Sequence, residues 1–225
     1  MPSLLDALGA FNRRERHILV GWVLDRLTFP LGHEFRQELS QILPVGRVPA
    51  DAFVAMDYNL NWLCAALMWA HGGFHEDEPY QYLVEHGIEL ADNSDCDLLV
   101  AFAQGERTHV VLLEAKGFMP FSVPVLKHKA DRLRAIFGAA GNRFLQAVPH
   151  WVFVGPKPPP YVEVPEWMVD PATGKLRYLA LPQPASHKFA VVRCDEHGHK
   201  KDAGYWKIRS NPWPGLPEQE ADSLT

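Results

Sequence analysis

The 225-residue sequence has few cysteines, no long apolar run and no excess of positive charge. Cys64, Cys96 and Cys194 are odd in number and far apart, which argues against a disulfide framework and suits a reducing, intracellular compartment. The longest clean apolar run, Leu63 to Ala70, falls well short of the roughly 20 residues a membrane helix needs. Asp6, Arg13 and Arg14 interrupt any secretory signal. We therefore expect a cytoplasmic protein with no membrane partner. With 22 Lys+Arg against 27 Asp+Glu, the formal charge of -5 excludes a generally polybasic nucleic-acid binder but leaves room for a local basic patch. G-x-G-x-x-G, G-x-x-x-x-G-K-[ST] and G-x-S-x-G are all missing, so dinucleotide, ATP and serine-hydrolase chemistry lack their usual supports.

What is present divides a single domain into a helical part (1–72), a core (73–155), a proline-rich β appendage (156–217) and a tail (218–225). Ile18, Leu19, Trp22, Val23 and Leu27 predict one side of a helix over Arg13–Leu27. Phe35, Leu39 and Ile42 continue at helical spacing after the Pro30–Gly32 break, and Met56, Leu60, Leu63 and Leu67 predict a third helix over Phe53–Ala70, ended by Gly72-Gly73. From Gly72 to Ala103 there is no Lys or Arg, whereas eight Asp or Glu fall there. Ser122 and Pro124 offer a helix start, Leu126, Ala130, Leu133 and Phe137 form its stripe, and Gly138 stops it. His150–Val154 reads as a buried strand. Eleven of the 19 prolines lie between Pro156 and Pro217, so regular structure there must be short; Phe189–Cys194 and Tyr205–Ile208 predict a second hairpin.

The runs Leu98–Ala103 and His109–Leu113 flank Gln104-Gly105-Glu106-Arg107 and predict a hairpin turning on Gly105-Glu106. If Gln104 faces Arg107, antiparallel partners have a constant sum of residue numbers. Asp97 then faces Glu114, Asp95 faces Lys116, and the period of two puts all four side chains on one sheet face. Like charges directly opposite destabilise a sheet by about 0.2–1 kcal/mol, so the Asp97–Glu114 pair calls for a compensating cation. A hard divalent ion such as Mg²⁺ binds through one or two carboxylates, keeps several waters and accepts phosphate oxygens. Val110–Leu113, a continuous apolar run of the kind buried on both faces, delivers Glu114 and Lys116 to the end of a buried strand.

Cys96-Asp97-Leu98-Leu99-Val100 followed by Glu114-Ala115-Lys116, with 17 positions from Asp97 to Glu114, resembles the core motif of the PD-(D/E)xK nuclease superfamily, over roughly Asp92 to Val154. The resemblance implies an α/β, restriction-endonuclease-like mixed sheet flanked by helices, and phosphodiester hydrolysis dependent on Mg²⁺, with Mn²⁺ as substitute. It implies that Asp97, Glu114 and the Ala115 carbonyl hold the metal and that Lys116 is the catalytic lysine. It further implies nucleic acid, most readily DNA, as partner, with homodimerisation a route to cutting both strands. The family's proline before Asp97 is absent, and Glu85, Glu89, Glu38 and Glu34 all compete for the upstream acid some members carry.

The helix after the motif carries Lys127, Lys129, Arg132 and Arg134 against Asp131 alone, a basic surface suited to a phosphate backbone. Cys194-x-x-His197-x-His199 lacks a fourth ligand at suitable spacing and reads as a hairpin loop rather than a zinc site. Trp206 and Trp213 read as packing anchors rather than base-stacking platforms, and Arg13-Arg14-Glu15-Arg16 as a solvated turn. The expectation is a metal-dependent nuclease; a catalytically inactive nucleic-acid-binding or assembly subunit of the same fold is the alternative, and an unrelated α+β protein the third.

Overall fold

A computed structural model describes residues 2–12, 15–25, 29–72, 94–117, 120–181, 188–202 and 204–211. Arg13, Arg14, Leu27, Gly73, most of the acidic stretch with Glu85 and Glu89, Trp213 and the tail lie outside them.

The chain forms α1 (Leu4–Phe11), α2 (Glu15–Val23), α3 (His33–Ile42), β1 (Phe53–Asn59), α4 (Leu60–Ala70), β2 (Asp95–Gln104), β3 (Arg107–Ala115), α5 (Val123–Phe137), β4 (Ala147–Gly155), β5 (Arg177–Ala180), β6 (Lys188–Cys194) and β7 (Tyr205–Asn211). Strands β1 to β5 form one sheet in sequence order. Its first two pairings are antiparallel and its last two parallel, so α5 is the crossover between β3 and β4. A mixed α/β fold with helices over a five-stranded mixed sheet results.

Local chemistry sets several boundaries. Ser3 and Asp6 form a reciprocal capping box that starts α1. Gly105, at φ +61, turns the β2–β3 hairpin in a region that glycine enters without steric penalty. Pro124 sits in the first turn of α5, and Gly138, at φ +84, follows its last residue. The expected helix over Phe53–Ala70 is instead a strand followed by a helix. Phe53 to Met56, Tyr58 and Asn59 pair with β2, and Asn59 also opens α4 by accepting the Asn61 N–H at 2.8 Å. Apolar spacing alone could not reveal that switch, because Val54, Ala55 and Tyr58 are buried by the sheet.

Two clusters of buried residues cover the two sheet faces. Leu4 and Leu8 of α1, Leu63 and Leu67 of α4, and Leu126 and Leu133 of α5 pack with Ala55, Leu99, Leu112 and Trp151. Leu39 and Leu43 pack with Val100, Val111, Leu113 and Val152 on the other face. Val110 to Leu113 are all buried, as a strand covered on both sides should be. The α2 periodicity marks a helix but not a buried face: Ile18, Leu19, Trp22 and Val23 are exposed. On the α3 side, His109 Nδ1 lies 2.9 Å from His150 Nε2 within a stack that includes Phe102. Strands β6 and β7 pair separately, and Trp206 is exposed on them rather than anchoring the core.

Candidate functional site

The β2–β3 register pairs Gln104 with Arg107 and continues with a constant sum to Leu98 opposite Leu113. The next rung would set Asp97 against Glu114, and there the ladder stops. Asp97 Oδ2 instead accepts the Ala115 N–H at 2.6 Å, so the carboxylate substitutes for a strand carbonyl. Lys116 N–H donates to the Val154 carbonyl at 2.9 Å, which ties the end of β3 to β4.

The β1–β2 ladder has a gap at the same level. Met56 pairs with Leu98 and Tyr58 with Cys96, but Asp57 and Asp97 between them do not pair, and Asp57 takes a positive φ of 49°. Among non-glycine residues, Asp and Asn enter that region most readily. The interruption also inverts the facing pattern. Ala55 and Tyr58, three apart, lie in one core cluster, as do Leu99 and Cys96. Strict alternation therefore fails at Asp97, and the expectation that Asp95, Asp97, Glu114 and Lys116 share one face does not carry through the broken rung.

Glu114 keeps the parity of Val110 and Leu112 and turns toward α5. It is 6% exposed. Its Oε2 lies 2.6 Å from Lys129 Nζ, which also donates to the Asp95 carbonyl at 2.6 Å. Its Oε1 is buried and, among the described residues, has no hydrogen-bond partner. Burial pushes the Glu114 carboxyl up to about 7 against the pull of Lys129, with Asp97 raising it further and Lys116 lowering it. Lys116 is half-buried just beyond the strand, and Ala115 is exposed between the two.

The basic helix divides by face. Lys127 and Arg134, seven residues apart, are exposed, Arg134 pairing with Asp131 at 2.9 Å. Lys129 and Arg132 flank the buried stripe of Leu126, Ala130 and Leu133; Lys129 reaches Glu114, and Arg132 donates to Asn61 Oδ1. A helical wheel distinguishes the two pairs, a signal the charge count over the helix discards. Asp57 was not singled out in the sequence because it falls within the stretch read as helix. Of the upstream acids, Glu34 and Glu38 belong to α3, whose Leu39 packs on the face opposite Glu114.

Neither protein-family models, curated proteins nor solved structures give a match to this chain. Its site must be judged from its own chemistry. Among the described residues no three His, Cys, Asp or Glu side chains form a metal-holding group. A centre of two carboxylates and one main-chain carbonyl has only two such side chains. The donors Asp97, Glu114 and the Ala115 carbonyl are all hard oxygens, and the unpartnered Glu114 Oε1 is a buried acceptor that a cation would satisfy. Those residues fit a hard divalent ion such as Mg²⁺ or Mn²⁺.

Proposed function

We propose that the protein is a metal-dependent nuclease with a restriction-endonuclease-like core, hydrolysing phosphodiester bonds, most readily those of DNA. The observation that carries this reading is the buried, half-satisfied Glu114 carboxylate at the end of β3, next to Asp97 and Lys116 at the broken end of the hairpin. The β2–β3 hairpin followed by helix α5 and strand β4, within a mixed sheet flanked by helices, is in keeping with what the resemblance over Asp92 to Val154 implies.

Asp97, Glu114 and the Ala115 carbonyl would hold Mg²⁺, with Mn²⁺ as substitute. When bound, the ion supplies charge neutralisation at the phosphate and a water of lowered pKa. The chain's own residues do the rest. Lys129 holds one Glu114 oxygen and leaves the other free, fixing the carboxylate's orientation. Asp97 fixes the Ala115 peptide by accepting its N–H. Lys116 offers an ammonium beside the carboxylates, where it can orient a water or steady charge growing on the phosphate. Lys127 and Arg134 lie on the exposed face of α5 and would meet the phosphate backbone.

A catalytically inactive nucleic-acid-binding subunit is the second reading. It is favoured by the Lys129–Glu114 ion pair and the Asp97–Ala115 hydrogen bond, which already compensate part of both acids. The deciding experiment is cleavage of plasmid and single-stranded DNA in Mg²⁺ or Mn²⁺, with chelator and Glu114→Ala as controls. Cleavage lost in both controls supports the nuclease. DNA binding without cleavage in either metal leaves the inactive subunit.

A further inference from the structure

Strands β6 and β7 carry a surface that the candidate site does not use. In their antiparallel register Val191 faces Ile208 and Arg193 faces Trp206, so Phe189, Val191, Arg193, Trp206 and Ile208 share one side of the ribbon. Phe189 is 70% exposed, Val191 71%, Trp206 65% and Ile208 64%. Apolar side chains this open, side by side on one face, mark a binding surface rather than scattered surface residues.

The charge around them identifies the occupant. Between Lys188 and Asn211 the sequence has six Lys or Arg against three acids, in a chain whose formal charge is -5. Arg193 stands on the apolar face itself, and Lys200 and Lys201 are exposed where the chain returns beside β6, Lys201 donating its N–H to the Arg193 carbonyl; Lys207, opposite Val192, belongs to the other face. A polyanion with flat apolar faces is complementary to both kinds of group at once. Side chains on one face recur every two residues, about 6.8 Å along the strand. That is about twice the 3.4 Å rise of a stacked nucleic-acid strand. The spacing suits a strand whose bases have separated to admit a side chain between them.

We propose that the β6–β7 ribbon is a binding platform for single-stranded nucleic acid, on which Trp206 and Phe189 stack bases while Arg193, with Lys200 and Lys201 at its end of the ribbon, contacts phosphates. It deepens the nuclease reading by giving that site a substrate-holding surface, yet its test does not depend on cleavage.

The probe is a fluorescein-labelled oligothymidylate, with binding read by anisotropy in EDTA, where no cleavage occurs. The full-length chain should bind it, and the double variant Phe189→Ala/Trp206→Ala should bind at least tenfold more weakly. Trp206→Phe should restore most of the affinity if stacking is the cause, and Arg193→Ala should flatten the salt dependence. Because these side chains are exposed, the far-ultraviolet circular dichroism of the variants should match the parent. Absence of binding by the parent would overturn the proposal, as would equal binding by the double variant. Equally tight, ribbon-dependent binding of the matched duplex would overturn it too. If light scattering shows a parent dimer that the double variant breaks into monomers, the ribbon is a self-interface and the proposal falls. Ribbon-dependent binding without cleavage in any metal would sink the nuclease reading alone, and cleavage by a parent whose binding does not depend on the ribbon would sink the platform alone.

Discussion

Acidifying the protein from about pH 7.5 to about pH 4.5 in chelator sets two buried groups against each other. The Glu114 carboxyl stands at about 7 in the fold against an ordinary 4.5. Between those values the folded chain holds a proton that the unfolded chain has released, so stability rises as the pH falls. At about 1.4 kcal/mol per unit, the gain is about 3 kcal/mol. The His150 imidazole is pushed from 6.5 down to about 3 by burial, with His109 and Arg177 adding to the fall. Below pH 6.5 the unfolded chain takes up a proton that the folded one refuses, so stability is complete above that pH and is lost below it. Two units below, the loss is about 3 kcal/mol. The two slopes nearly cancel, and the parent's remaining slope comes from other groups, including His17 and His109, whose imidazoles burial also lowers. Urea unfolding of Glu114→Gln and His150→Gln at both pH values separates the two. Comparing each variant with itself removes the packing consequences of the substitution. Relative to the parent, Glu114→Gln should lose about 3 kcal/mol more on acidification, and His150→Gln about 3 kcal/mol less. Parallel slopes in all three proteins would refute the assignment of both shifts to burial.

Divalent cation should stabilise the fold through Asp97 and Glu114. At 100 times Kd a native-state ligand adds about 2.7 kcal/mol, so Mg²⁺ or Mn²⁺ should raise Tm by a few degrees, and Asp97→Ala should lose that shift. Lys129→Met removes the ammonium 2.6 Å from Glu114 and should cost about 3–5 kcal/mol near pH 8. Adding Glu114→Gln to it should recover most of that loss, and chemical denaturation checks both. Lys127→Ala with Arg134→Ala should weaken duplex binding and reduce the salt slope by about 1.8, if each contacts one phosphate. Arg132→Ala, by contrast, should act on stability through its lost bond to Asn61, with the salt slope unchanged.

The central hairpin was legible because its turn, its two apolar runs and its register are local, and a glycine able to take positive φ fixes all three. Helix α5 was legible for the same reason, bounded by Ser122 and Pro124 at one end and Gly138 at the other. The segment 53–70 was not. Its apolar residues fit a helical stripe, yet Phe53 to Tyr58 are held in β1 by pairing with β2, some forty positions away, which no local pattern encodes. The roles of the α5 cations were hidden differently: Lys129 and Arg132 look like Lys127 and Arg134 in composition and differ in angular position.

An unbroken ladder would set Asp97 against Glu114, and it is the break that gives these residues their character. Extending both registers by one rung brings Asp57, Asp97 and Glu114 to the same level on three neighbouring strands. Three carboxylates in a row across a sheet repel one another unless something intervenes. The fold answers each differently. Asp57 turns to positive φ, Asp97 binds the Ala115 N–H, and Glu114 is pulled onto Lys129. A sequence selected only for stability would fill such a central rung with β-branched or aromatic residues and keep the ladder whole. Three acids, one of them left-handed and another with a buried oxygen that has no partner among the described residues, together form a local concession in an otherwise well-packed sheet. Such concessions gather where a fold serves a function, and this one lies where the proposed chemistry needs it.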